Sequence, residues 1–231
     1  SVDQGKEAKF ESLLDQMQDR KGISGTIAAS QDVTPLNAVV LDSDLEGEYL
    51  QLHGTFILLP THRGYILIDQ QNAHEQVLYE KFSQSFAQKE TATQQSLFPV
   101  TLQFSTQDAI LLGEMIPDLH LLGYRVEPFG KDSFVVQGIP ADLEPGNEKS
   151  TIERVIEDVK HYPSELRLDK REKLIRSMAF HHAIRSGKRL SRQEMKTLAR
   201  ELFQCSRPNL TPSRRPTYME FKIDYLEKIF S

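Results

Sequence analysis

From Tyr49 onward the spacing of apolar positions changes period several times. The run Leu52-His53-Gly54-Thr55-Phe56-Ile57-Leu58-Leu59 predicts a strand. Pro60 to Gly64 predicts a turn, and Tyr65-Ile66-Leu67-Ile68 a second, short strand that is apolar throughout, so the pair reads as a hairpin. From about Asn72 the period becomes helical: Ala73, Val77, Leu78, Phe82 and Phe86 recur on one face until the polar stretch Gln88 to Gln95. Leu97 to Phe104 predicts another strand, with Val100, Leu102 and Phe104 alternating. A helix follows from about Thr106, interrupted near Pro117, whose ring removes a backbone donor. Tyr124–Glu127 and Phe134–Gln137 predict a second hairpin across Gly130-Lys131-Asp132.

The last third reads as mostly helical. Ser150-Thr151-Ile152-Glu153 and Ser191-Arg192-Gln193-Glu194 both fit the capping box, in which serine and glutamate each satisfy a free N–H of the first turn. A third helix is expected from about Leu168 to Arg185, ended by Ser186-Gly187. Pro208, Pro212 and Pro216 mark an irregular loop, and Tyr218–Ile223 a closing strand. Residues 1–45 read as a linker tail with a weak helical stretch around Phe10, Leu13, Leu14 and Met17. Strands at both ends and helices gathered late predict an α+β fold.

Composition adds few constraints. Hydrophobic residues make up 39% and charged residues 26% of 231, ordinary for a soluble globular chain. No apolar run approaches the roughly 20 residues of a membrane span, and no signal peptide opens the chain. One cysteine, Cys205, permits no internal disulfide, which fits a cytoplasmic location. Beginning on Ser1, the chain reads as a piece of a longer protein. The net charge of −5 argues against indiscriminate coating of DNA. Its distribution is uneven: Lys160 to Thr217 holds 15 basic against 5 acidic residues, whereas residues 1–50 hold 4 against 10. Either one face is suited to phosphate, or three helices are simply solvated by Lys and Arg.

The chemistry concentrates in Asp69-Gln70-Gln71-Asn72-Ala73-His74-Glu75-Gln76-Val77-Leu78-Tyr79-Glu80. An aspartate follows a buried strand, and a helix with two further carboxylates begins directly after it. Positions 71 and 75 share a helix face. This segment resembles the nuclease motif Asp-Gln-His-Ala-x-x-Glu-x-x-x-x-Glu of the MutL family of DNA mismatch-repair proteins, matching at Asp69, Gln70, Glu75 and Glu80. Ala179-Phe180-His181-His182-Ala183-Ile184-Arg185 resembles a second family segment, and Pro212-Ser213-Arg214-Arg215-Pro216-Thr217 the loop before its last strand. Three motifs in order carry the likeness from about Tyr49 to Phe230.

The resemblance implies an α+β fold of two lobes: a dimerisation lobe (46–93 plus 189–231) and an inserted regulatory lobe (94–188). It also implies a Zn²⁺ or Mn²⁺ site at positions occupied here by Gln71, Glu75, Phe180, Thr211 and Ser213. Of these only Glu75 is a good ligand, so the nuclease site reads as degenerate. His74 sits about 100° round the helix from the face of 71 and 75, and Cys205 is six residues from Thr211. His74, His181 and His182 read better as hydrogen-bonded helix residues. Asp69, Glu75 and Glu80 remain candidate catalytic carboxylates for a weak Mg²⁺ or Mn²⁺ site, or a carboxylate set favouring the helix N-terminus.

A second feature is Gln94-Gln95-Ser96-Leu97-Phe98-Pro99, which resembles the sliding-clamp binding peptide carried by the family. Leu97 and Phe98 suit an apolar pocket and Gln94 its rim; Pro99 completes the motif. The alternative is that Leu97 and Phe98 begin a core strand. Arg185, Lys188, Arg189, Arg214 and Arg215 are candidate DNA contacts beside the metal-site positions. The function so implied is mismatch repair through homodimerisation and docking of DNA, the replication clamp and a MutS-type mismatch recognition protein. ATP would be bound in an N-terminal part absent from this chain. The alternative is a metal-dependent nicking endonuclease.

Overall fold

A computed structural model of the chain describes residues 44–88, 91–161 and 168–230. The tail expected over 1–45 lies outside these residues except for its last two positions. They open a short 3₁₀ turn, Asp44–Glu46, in which Leu45 is buried, and Glu46 next to them pairs with Lys196 and Arg200.

The first sheet holds β1 (Leu50–Leu52), β2 (Phe56–Thr61), β3 (Gly64–Asp69) and β7 (Tyr218–Lys222), in the order β1-β2-β3-β7 and antiparallel throughout. The single strand expected over 52–59 is two strands. His53 and Gly54 both take left-handed backbone, with φ of 53° and 61°, and the Thr55 N–H closes the turn on the Leu52 carbonyl. An apolar run hid this turn, because its signal is only the His-Gly pair. At the next hairpin Gly64 is obligatory: a Cβ there would lie 2.0 Å from the Phe221 carbonyl oxygen.

On one face Ile57, Leu59, Ile66 and Ile68 are fully buried, paired Ile57 with Ile68 and Leu59 with Ile66. Each such burial contributes roughly 1.5–3 kcal/mol. The opposite face is also apolar, which explains why the 65–68 run showed no alternation.

Helix α1 (Gln70–Gln88) leaves β3 directly and packs on it. It starts two residues before the expected Asn72. Its first half buries Ala73 and Val77; its second sends Leu78 and Phe82 into a separate core with the middle of the chain. There β4 (Thr93–Gln103), β5 (Arg125–Pro128) and β6 (Ser133–Pro140) form a three-stranded sheet, order β4-β6-β5. Leu102, Tyr124, Val126 and Val136 face inward, covered by α2 (Thr106–Leu121) and α3 (Glu148–His161). Pro117 does not interrupt α2. It forfeits one helical hydrogen bond, while Leu112, Met115 and Leu119 around it are buried and keep the helix on the core.

Helix α4 (Lys170–His182) is capped by Asp169, which accepts the Glu172 N–H at 2.7 Å. It ends three residues before the predicted Arg185, because the Ile184 N–H goes to His74 Nδ1 at 3.0 Å instead of to a helical carbonyl. Helix α5 (Arg192–Gln204) has the expected capping box at Ser191 and Glu194. The box expected at Ser150 is absent. Here α3 begins at Glu148, whose buried carboxylate accepts the Gly146 N–H, and Ser150 lies within the first turn. Helix α6 (Ile223–Phe230) follows β7.

Two substitutions separate the two serines. Ser191→Ala should cost about 1 kcal/mol in urea unfolding, the usual value of an N-cap. Ser150→Ala should stay within roughly 0.5 kcal/mol of wild type.

Candidate functional site

The junction of β3 and α1 gathers the motif residues, and each is committed to the protein itself. Asp69 caps α1: its Oδ1 accepts the Asn72 N–H at 2.9 Å. The Asn72 side chain donates to the Pro216 carbonyl at 2.8 Å, tying the helix start to the loop before β7. Gln70 is fully buried. Its Nε2 donates towards the carbonyls of Gly54 (2.7 Å), Arg185 (3.0 Å) and Lys188 (3.1 Å), and its Oε1 accepts from Gln51 Nε2 at 2.7 Å. Gly54 and Gly187 touch beside it, the Gly187 N–H donating to the Gly54 carbonyl at 2.7 Å.

Glu80 holds the other end of the 205–217 loop. It accepts from the backbone of Ser206 (2.8 Å) and Arg207 (3.1 Å), from Ser206 Oγ (3.0 Å) and from Gln76 Nε2 (2.9 Å). Glu75, only 2% exposed, pairs with the Arg215 guanidinium. Burial lifts the Glu75 carboxyl above the ordinary range, and Arg215 opposes that rise. Asp69, Glu75 and Glu80 therefore do not converge. Among the described residues no group of three His, Cys, Asp or Glu side chains is arranged to hold a metal ion.

Three of the five positions that the resemblance assigns to metal ligands do share a place. Glu75, Phe180 and Ser213 line one cleft of about 320 Å³, with Asp158, His161, Arg176, Ser177 and Arg215. Thr211, within the loop, is buried, its Oγ1 accepting the Arg215 backbone N–H at 3.1 Å. The donor set does not fit Zn²⁺ or Mn²⁺: a phenyl ring offers no ligand, and the one carboxylate is bound to a guanidinium.

The neighbouring histidines and the cysteine do not rebuild it. His74 spends Nδ1 on the Ile184 N–H, and burial pushes it down to about 4. His182 is likewise held to about 4 by burial and is bonded to the Tyr124 hydroxyl. His181 Nε2 meets Asp158 at 2.7 Å, and burial lowers its pKa in spite of that carboxylate. Cys205 is buried, donates to the Glu201 carbonyl, and is pushed up to about 12 by burial, so its thiol is inert.

The five candidate DNA-contacting cations are not equivalent. Arg185, Lys188, Arg189 and Arg214 are exposed, but Lys188 pairs with Glu144 at 2.8 Å. Arg185 lies 5.3 Å and Arg215 5.6 Å from the centre of the Phe180 ring.

The clamp-like peptide lies in β4. Pairing with β6 runs from Thr93 to Gln95, breaks, and resumes at Val100. The intervening segment leaves the ladder, so Leu97 is 91% and Phe98 84% exposed, and Pro99 is exposed too. They do not begin a core strand; the strand begins at Thr93. Gln94, expected at the rim, instead donates to the Leu143 carbonyl at 2.6 Å.

With this geometry in hand, the likeness to known proteins is informative. The family model described as the MutL C-terminal dimerisation domain matches residues 49–190. DNA mismatch repair protein MutL of Pelodictyon phaeoclathratiforme is 33% identical over 187 residues, covering 81% of this chain and 30% of that protein. The protein of the same description from Chlorobium chlorochromatii is 31% identical over 198 residues, 86% of this chain and 31% of its own length. That from Chloroherpeton thalassium is 34% identical over 180 residues, 78% and 28% respectively. The chain belongs to the MutL C-terminal dimerisation domain family. It spans about a third of the length of the curated relatives it matches.

In the sequence Gln70 is one position of a motif, and nothing there marks it as a buried cross-link. Gln70→Ala should destabilise by about 2 kcal/mol, since it strips partners from several backbone groups at once. A shift of the urea midpoint, with the slope unchanged, would measure it; an unchanged midpoint would contradict the geometry.

Proposed function

We propose that this chain acts in DNA mismatch repair as the homodimerising, partner-docking part of a MutL protein, with two copies joined through the open face of the four-stranded sheet. One observation carries this. Leu50, Leu58, Leu67 and Met219 pair in register from strand to strand, making an apolar row across all four strands. Leu50 and Met219 are 60% and 48% exposed. The exposed Leu52 and Phe56 and the stacked rings of Tyr65 and Phe221, 4.8 Å apart, widen the row on the same face. A contiguous apolar face of this kind marks an association surface. A two-fold axis would let the same patch cover itself, as the family's description as a dimerisation domain suggests.

The division into a dimerisation lobe (46–93 plus 189–231) and a regulatory lobe (94–188) belongs to the same proposal. It is supported by the first sheet drawing its strands from 50–69 and 218–222, while the second draws only on 93–140. Within the longer protein, such a dimer would tether two ATP-binding halves and present docking surfaces for DNA and a mismatch-recognition partner. Of the basic candidates, Arg185, Arg189 and Arg214 are exposed and in reach of phosphate. Among the described residues no helix is long and apolar enough to cross a membrane.

Sedimentation tests the dimer. Wild type should run near twice 26.4 kDa, and Leu58→Glu with Leu67→Glu should give a folded monomer. A wild-type monomer at micromolar concentration would sink the proposal.

A second docking reading is favoured by Leu97 and Phe98: two large apolar side chains held in water, in a sequence like a clamp-binding peptide. Replacing both by Ala should abolish pull-down on the replication clamp. Because neither is in the core, stability should change by less than roughly 0.5 kcal/mol. Undiminished pull-down would remove the clamp from the partners.

A further inference from the structure

The cleft around Phe180 does not merely lack metal ligands; it is furnished for a different cation. Glu75 is buried at 2% exposure, and a carboxylate so placed needs a positive partner. Arg215 supplies it from the loop, its Nη2 bonded to Glu75 Oε2. The same guanidinium lies over the ring of Phe180 on α4, while its backbone is locked to Thr211 by two hydrogen bonds, Arg215 N–H to Thr211 Oγ1 at 3.1 Å and Thr211 N–H to the Arg215 carbonyl at 2.9 Å. A phenyl ring is useless to a transition metal but attracts a planar cation through its electron-rich face. The residue that most plainly spoils the metal site is thus a favourable contact for the arginine.

We propose that the Arg215 guanidinium is a built-in cation standing in the place of the metal that the resemblance assigns to this site, joining Glu75 of α1, Phe180 of α4 and the 205–217 loop. As a metal would, it draws three segments together around one positive charge. Unlike a metal it is covalently part of the chain and cannot exchange. Arg176 reinforces the arrangement from α4, donating to the Pro212 carbonyl at 3.0 Å. Asp69, Asp158, His161 and Arg185 complete the charged surroundings, and none of them displaces the Glu75–Arg215 contact. Arg215 is therefore withdrawn from the DNA-contacting set, leaving Arg214 beside it facing solvent. The inference rests on family membership and not on the dimer, so a monomeric chain would leave it standing.

A double-mutant cycle on the whole chain tests it, read by urea unfolding. Arg215→Met should lower the folded-to-unfolded ratio about 100-fold or more, because it strands a buried carboxylate. In a Glu75→Gln background the same change should cost less than about tenfold. Arg215→Lys, which keeps the charge but loses the planar contact with Phe180, should fall between. Zn²⁺ or Mn²⁺ titrated into wild type should give no binding heat, and EDTA should leave the melting temperature unchanged. Equal losses in both backgrounds would overturn the role of Arg215. Micromolar metal binding that disappears in Glu75→Gln would overturn the replacement of the metal.

Discussion

A buried amide must find partners for two N–H groups and a carbonyl, and at Gln70 that requirement organises much of the molecule. Its partners come from the β1–β2 turn, from Gln51 and from the backbone at 185 and 188, segments more than 100 residues apart. Where they meet, β3 becomes α1. The direction in which α1 leaves the sheet is therefore set by polar contacts at its first residue. Because the helix is 19 residues long and enters both hydrophobic regions, that direction also sets where the second core is built.

The carboxylates of α1 extend the same logic towards β7. Asp69 caps the helix, Glu75 holds Arg215, and Glu80 gathers the backbone at 206 and 207. All three act on the helix or on the irregular segment that delivers the fourth strand to the open sheet. The proline-rich loop closes some of its backbone on itself, as between Thr211 and Arg215, and side chains from α1 bind other parts of it, Glu80 at 206 and 207 and Asn72 at Pro216. The three charges resemble a nuclease motif in spacing while serving as fasteners in space.

Elements with strong periodicity were legible in the sequence. The helix around Ala73, Val77 and Phe82, the hairpin through Leu67 and the cap at Ser191 stand where their local patterns place them. Local patterns failed where another contact outweighed them: α4 stops early for His74, 110 residues away, α3 starts early with Glu148 bonding back to Gly146, and Pro117 is carried through by its buried neighbours. The turn at His53-Gly54 was lost inside an apolar run. At the site, the motif positions were readable and three share a cleft. That Glu75 would be answered by a cation from 140 residues away was not readable, because one arginine among 15 basic residues carries no mark of its partner.

The excursion of β4 between Gln95 and Val100 has a thermodynamic consequence. Both of its ends are pinned in the ladder with β6, and Ser96 Oγ donates to the Phe98 carbonyl across it at 2.8 Å. Its backbone has thus already lost most of the conformational freedom that a linear peptide surrenders only on binding, about 1–2 kcal/mol per residue. Any pocket that accepts Leu97 and Phe98 meets them preorganised, and a free peptide of identical sequence would bind it more weakly.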